Sequence, residues 1–263
     1  MMFNRRMKAL MRKEWLGLKN NRSILLAMAF LPLIMVLSTV GTAWHLRSLP
    51  VSEFLKEGSL TVPAQWTDVD ARQGVMILMN DQFMFYLLLS PMSLPMSIAA
   101  YSIIGEKKAK SLEPLLATPI KTWELLMAKV LVAVAPAAIA GWLSYLAVVL
   151  GIWLVADSVV FSYLVRPVWL VGMTLLSPLL AGLSTLSGVT VSSRMKDIRA
   201  ANSVAGFFVL PLIVVSVAVL LGKVVMTTEI VLLASFIITL LTATLLYLSV
   251  KIFNRETILT RWS

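Results

Sequence analysis

Six stretches of the chain contain no Asp, Glu, Lys, Arg or His: residues 24–44, 83–104, 130–156, 168–193, 200–222 and 230–250. Each is at least 21 residues long, and at about 1.5 Å per residue such a helix crosses roughly 30 Å of hydrocarbon. In lipid, an open chain satisfies its backbone N–H and C=O groups only as a helix. The pattern predicts an all-α integral membrane protein, a single transmembrane domain over 1–263 with six transmembrane helices. The first stretch is too long for a signal-peptide core and follows a basic segment, so it reads as a retained span. No internal repeat or linker divides the chain.

Outside the spans, two segments have helical patterning of another kind. Within 1–23, Phe3, Met7, Leu10, Met11 and Leu18 fall in a narrow arc at about 100° per residue, opposite Arg5, Lys8, Arg12, Lys13 and Lys19. This predicts a basic amphipathic helix lying on the inner leaflet. Glu14 falls inside the apolar arc, where it either snorkels or pairs with a nearby arginine, or else meets a partner protein. The second segment is the loop 105–129, GEKKAKSLEPLLATPIKTWELLMAK. Ser111 is placed to cap a short helix whose first turn holds Leu112, Glu113 and Pro114. Thr118-Pro119 ends that helix, and Thr122 is placed to cap the next, which runs into the third span. Leu115 and Leu116 on the short helix need burial, either on the ends of the bundle or on another protein. On the other side, the loop 45–82 is expected to end in a short helix capped by Asp68 and continuous with the second span.

Charge then orients the chain. Of 23 Lys and Arg, seven lie in 1–23, five in 105–129, three in 194–199 and three in 251–263, against five on the opposite side. That bias predicts cytoplasmic termini. It also accounts for the net charge of +10 through an anionic inner leaflet rather than nucleic acid. Trp44, Trp153 and Trp169 fall at predicted outer ends and Trp15 and Trp123 at inner ones, as an aromatic belt would place them. At 59% hydrophobic and 14% charged, the composition fits lipid as the solvent. With no cysteine and the single histidine His45, thiolate and histidine-cluster metal sites are excluded.

Within the spans, Pro32, Pro91, Pro95, Pro136, Pro178 and Pro211 interrupt the helical ladder, for packing or for a conduit that changes shape. Small residues recur at every fourth position in Ala133, Ala137, Gly141 and in Ser184, Gly188, Ser192, allowing close approach within a subunit or across a dimer. Carboxylates and bases are missing from the six stretches, which disfavours a proton relay. A membrane-embedded enzyme is disfavoured too, because only hydroxyls, Asn80, Gln82 and Asn202 stand near the ends.

The loop resembles the cytoplasmic segment of ABC-2 type transporter permeases through Glu106, Ser111, Leu112, Glu113, Leu115, Leu116, Thr118 and Pro119. Lys108 and Lys110 depart from that pattern. The amphipathic segment before the first span and the run SSRMKDIRAANSVAGFFVLPL at 192–212 also resemble the family. The resemblance implies the membrane subunit of an exporter in the inner or plasma membrane of a bacterium or archaeon. Such a subunit pairs with a second copy of itself and with two copies of an ATP-binding subunit, which holds the ATP and magnesium. Coupling is expected through Arg12, Lys13, Glu14 and Trp15 and through Glu106 to Pro119. No G-x-x-x-x-G-K-[ST] occurs in the chain, so no phosphate-binding loop is present here. An alternative is a mechanical transmitter coupled to an ATPase, disfavoured by the small outer loops.

Overall fold

The computed structural model describes residues 5–50, 69–108, 120–195, 214–215, 217–219, 224 and 226–252. Among these the fold is all-helical. It comprises α1 (Arg5–Asn20), α2 (Arg22–Ser48), α3 (Ala71–Lys108), α4 (Thr122–Val155), α5 (Ser158–Leu164), α6 (Pro167–Val171), a π-helical turn (Gly172–Leu176), α7 (Ser177–Arg194) and α8 (Thr228–Ile252). Five segments among the described residues are long and apolar enough to cross a membrane: Ala29–Ser48, Ala71–Met92, Thr122–Val155, Ser158–Ser193 and Thr228–Lys251. The predicted fifth span, 200–222, lies outside the described residues apart from the helical 214–215 and 217–219.

Burial ranks the helices. In α3 67% of the apolar window is buried, against 17% in α2 and 11% in α8, so α3 is the central post and the other two present broad apolar faces outward. Phe30, Leu37, Phe236 and Tyr247 stand on those faces, which suit lipid rather than water. Two apolar clusters hold the bundle. The larger joins Met84, Leu88 and Met92 of α3 to Tyr145 and Val148 of α4 and to Trp169, Met173 and Leu180. The smaller seats Met7 and Leu10 of α1 against Ile103 of α3, Leu126 of α4 and Val189 of α7.

Small residues let these helices touch. A Cβ built on Gly188 would lie 2.5 Å from the carbonyl oxygen of Met96, so α7 meets the α3 backbone there without a side chain between them. Gly141 likewise faces Pro91 and Ser177. At Gly141 and Gly188, the small-residue ladders therefore pack helices within one subunit.

Several local expectations are corrected. α3 starts at Ala71, and Asp70 rather than Asp68 caps it: Asp70 Oδ1 accepts from the Gln73 N–H at 2.7 Å, while the Asp70 N–H donates to Gln73 Oε1 at 3.1 Å. Gln73 stands three residues after Asp70, the spacing a capping box requires. Thr122 is the first residue of α4 and not its cap. The cap is Lys121, whose backbone N–H donates to Glu124 Oε2 at 2.9 Å, because a lysine side chain has no acceptor of its own. Trp169 is not part of an aromatic belt; it is fully buried, with Nε1 donating to Asp81 at 3.2 Å, whereas Trp44 and Trp153 are exposed.

The π-helical turn has a local cause. The Ser177 N–H bonds the Gly172 carbonyl, five residues back. The next residue, Pro178, has no N–H to repeat that step onto Met173. Trp142 Nε1 of α4 donates to the Met173 carbonyl instead, at 2.8 Å, satisfying an acceptor that lipid would leave bare.

Candidate functional site

The end of the bundle that carries α1 gathers charges from three helices. Glu14 turns inward from α1 because its neighbours in the arc, Met7, Leu10 and Leu18, are buried. Glu106 sits in the last turn of α3, just before the 109–119 loop. Lys129 stands two turns into α4, just after that loop. At the centre, Lys129 Nζ lies 2.8 Å from Glu14 Oε1 and 3.0 Å from Glu106 Oε2 and donates to Ser102 Oγ at 2.6 Å. Ser102 Oγ donates in turn to Glu14 Oε2 at 3.2 Å. Lys13 closes the ring from outside, 2.5 Å from Glu106 and 3.8 Å from Glu14.

Burial makes this ring consequential. The Lys129 side chain is 2% exposed, Glu14 13% and Glu106 11%, whereas Lys13 is half exposed. Two cations and two anions balance, as buried charges must. Burial alone would push the Glu14 carboxyl up, but the charge and hydrogen bond of Lys129, helped by Lys13 and Ser102, outweigh it and hold the carboxyl below its ordinary value. For Lys13 burial pulls down, and the hydrogen bond and charge of Glu106, with Glu14 behind them, bring the ammonium above its ordinary value.

The ion pairs link three helices at one point. Both strands of chain that enter and leave the 109–119 loop are tied to one another through Glu106 and Lys129, and both are tied to α1 through Glu14 and Lys13. Of the residues singled out in the sequence, Lys13, Glu14 and Glu106 meet here. Arg12 and Trp15 face outward on α1. Ser111, Leu112, Glu113, Leu115, Leu116, Thr118 and Pro119 lie outside the described residues. Glu14 pairs with a lysine on another helix rather than with a nearby arginine. Lys129 and Ser102 were not singled out from the sequence. The signal for Lys129 was a base placed directly against a charge-free stretch, complementary to an acid inside the apolar arc of α1.

The opposite end is braced differently. Arg166 bonds both oxygens of Asp81, at 2.7 and 2.8 Å, and lies 5.2 Å from the Tyr163 ring centre. Arg47 donates to the Val155 carbonyl at 2.7 Å, and Arg72 lies 3.5 Å from Asp157. These three arginines clamp the ends of α2, α3 and α4 and the short helix α5.

Compared with protein families, residues 5–221 match the model for the ABC-2 type transporter. No curated protein matches the chain.

Proposed function

This chain belongs to the ABC-2 type transporter family, and from that premise we propose that it is the permease subunit of an ATP-binding cassette exporter, driven by ATP that a separate subunit binds and hydrolyses. The observation that carries the coupling role is the charge ring at the base of the 109–119 loop. Two copies of the ATP-binding subunit, closing on ATP and magnesium, pull on that loop. Glu106 and Lys129 pass the displacement to α3 and α4, and Glu14 passes it to α1. Glu113 makes the polar contacts to the ATP-binding subunit, with Leu115 and Leu116 filling an apolar groove on it and Pro119 holding the bend of the segment. Arg12 and Trp15, exposed on α1, add contacts beside it. The α1 end faces the cytoplasm of a cell whose inner or plasma membrane holds two copies of the chain, and the path for substrate runs between them.

The test replaces Leu115 and Leu116 together with Ala. The double variant inserts and melts as the parent does, yet retains the co-expressed ATP-binding subunit weakly in a pull-down, since each anchor of an interface is worth about 2 kcal/mol or more. Packing of the two leucines on their own bundle would instead lower stability by roughly 2 to 5 kcal/mol per site. A lowered melting temperature with undiminished binding per folded molecule overturns the coupling role.

A further inference from the structure

A cavity of about 340 Å³ lies where α1 crosses the ends of α3 and α4, at the small end of the roughly 300–1,000 Å³ typical of ligand pockets. Its lining divides by chemistry. Leu18, Ile98, Ala99, Val132 and Ala133 form an apolar wall, and the charge ring, with Asn21 and two glycines, forms the remainder. Inside the ring Lys129 is enclosed between Glu14 and Glu106, whereas Lys13, paired with Glu106 at 2.5 Å, is half exposed at the rim, where an ammonium with three N–H donors can also reach a group outside the ring. The helix that bears this rim is basic: α1 carries six Lys and Arg against one Glu, with Arg5, Lys8, Arg12 and Lys19 all exposed. An amphipathic helix of this kind lies at the boundary between headgroups and acyl chains. An apolar chamber with a basic rim at that depth complements an amphiphile with an anionic head.

We propose that this cavity holds an acyl chain of an anionic phospholipid from the surrounding bilayer, with the phosphate at Lys13. Two glycines stand in the lining. Gly17 and Gly105 both belong to its wall, and a Cβ on either would meet no atom within 4 Å. A Cβ at either position therefore displaces no neighbour, and a larger side chain at this lining competes with the acyl chain for room. The site depends on α1 lying at the bilayer surface and is independent of any ATP-binding subunit.

Native mass spectrometry of the full-length permease in detergent tests this, using dioleoyl phosphatidylglycerol, the phosphatidylcholine with the same chains, and inorganic phosphate as probes. The parent protein retains one phosphatidylglycerol in preference to phosphatidylcholine. Gly17→Leu lowers that retention about tenfold, equivalent to about 1.4 kcal/mol, at an unchanged melting temperature. Lys13→Gln abolishes the preference between the two lipids while leaving chain binding in place. Equal retention by Gly17→Leu means lipid that merely coats the bundle and overturns the site. Displacement of the lipid by inorganic phosphate, or no headgroup preference in the parent, overturns it as well. Should Gly17→Leu melt early, Gly105→Leu fills the same chamber from α3 and decides by the same criterion.

Discussion

A buried ammonium is costly unless it is paired and hydrogen-bonded, and Lys129 has two carboxylates and a hydroxyl around it. Lys129→Met removes the buried cation and leaves Glu14 and Glu106, in a poorly hydrated site, with only Lys13 to offset their charge. We expect a loss of about 3 to 5 kcal/mol, the usual result of removing one partner of a buried pair. Adding Glu14→Gln to that variant returns part of the loss, because the two sites share a network and do not add independently. A denaturation-based double-mutant cycle in detergent measures both; simple additivity would mean that Lys129 and Glu14 do not interact. The same carboxylate sets a pH dependence. Its folded pKa lies below its ordinary value of 4.5, so its contribution to stability is fully present above that value and is lost as the pH falls through the lowered one. Acid titration of the melting temperature should therefore show a decline below about pH 4.5 that is flattened in Glu14→Gln. Lys13 has the opposite sense: its raised pKa gives stability that is present below 10.5 and fades as the pH climbs through the higher folded value.

Among the elements, the crossing of α3 and α7 carries the most consequence, because it is a contact of backbone with backbone. Gly188→Ala would put a methyl group 2.5 Å from the Met96 carbonyl oxygen, an atom that cannot rotate away. Overpacking of this kind costs about 1 to 3 kcal/mol. Gly182 is in the same helix with nothing within 4 Å of its Cβ position, so Gly182→Ala should be neutral or stabilising, by up to about 1 kcal/mol. Melting temperatures of the two variants side by side check the crossing; similar behaviour would refute it. For the five charge-free stretches that lie among the described residues, helix existence was legible from length alone, yet helix starts were not. Asp68 and Asp70 are both acids before the same helix, and the choice fell to Gln73, the residue that can reach back. The π-helical turn was likewise hidden: Pro178 was visible as a break, but the indole that satisfies the freed carbonyl comes from another helix.

For the whole molecule, the lopsided distribution of basic residues implies that the 51–68 loop and residue 263 lie on opposite sides of the membrane. Reporters inserted near Ser59 and fused after Ser263 should give opposite topology signals, and matching signals would sink the orientation. The sequence by itself determined the class of solvent and the helical class, because the cost of bare backbone and unpaired charge in lipid is paid residue by residue and needs no knowledge of neighbours; the second candidate span among the described residues, Ala71–Met92, begins twelve residues before the charge-free stretch 83–104. The sequence also marked Glu14 as anomalous and the 109–119 loop as exceptional. Tertiary structure alone decided what Glu14 meets, since its partner Lys129 is 115 positions away and the attraction acts through space rather than along the chain. For the same reason it decided that Trp169 is buried beside Asp81 instead of facing the interface, and that Gly188 serves a crossing within the subunit. Periodicity shows which face of a helix is apolar; which helix covers that face is settled only when all of them pack together.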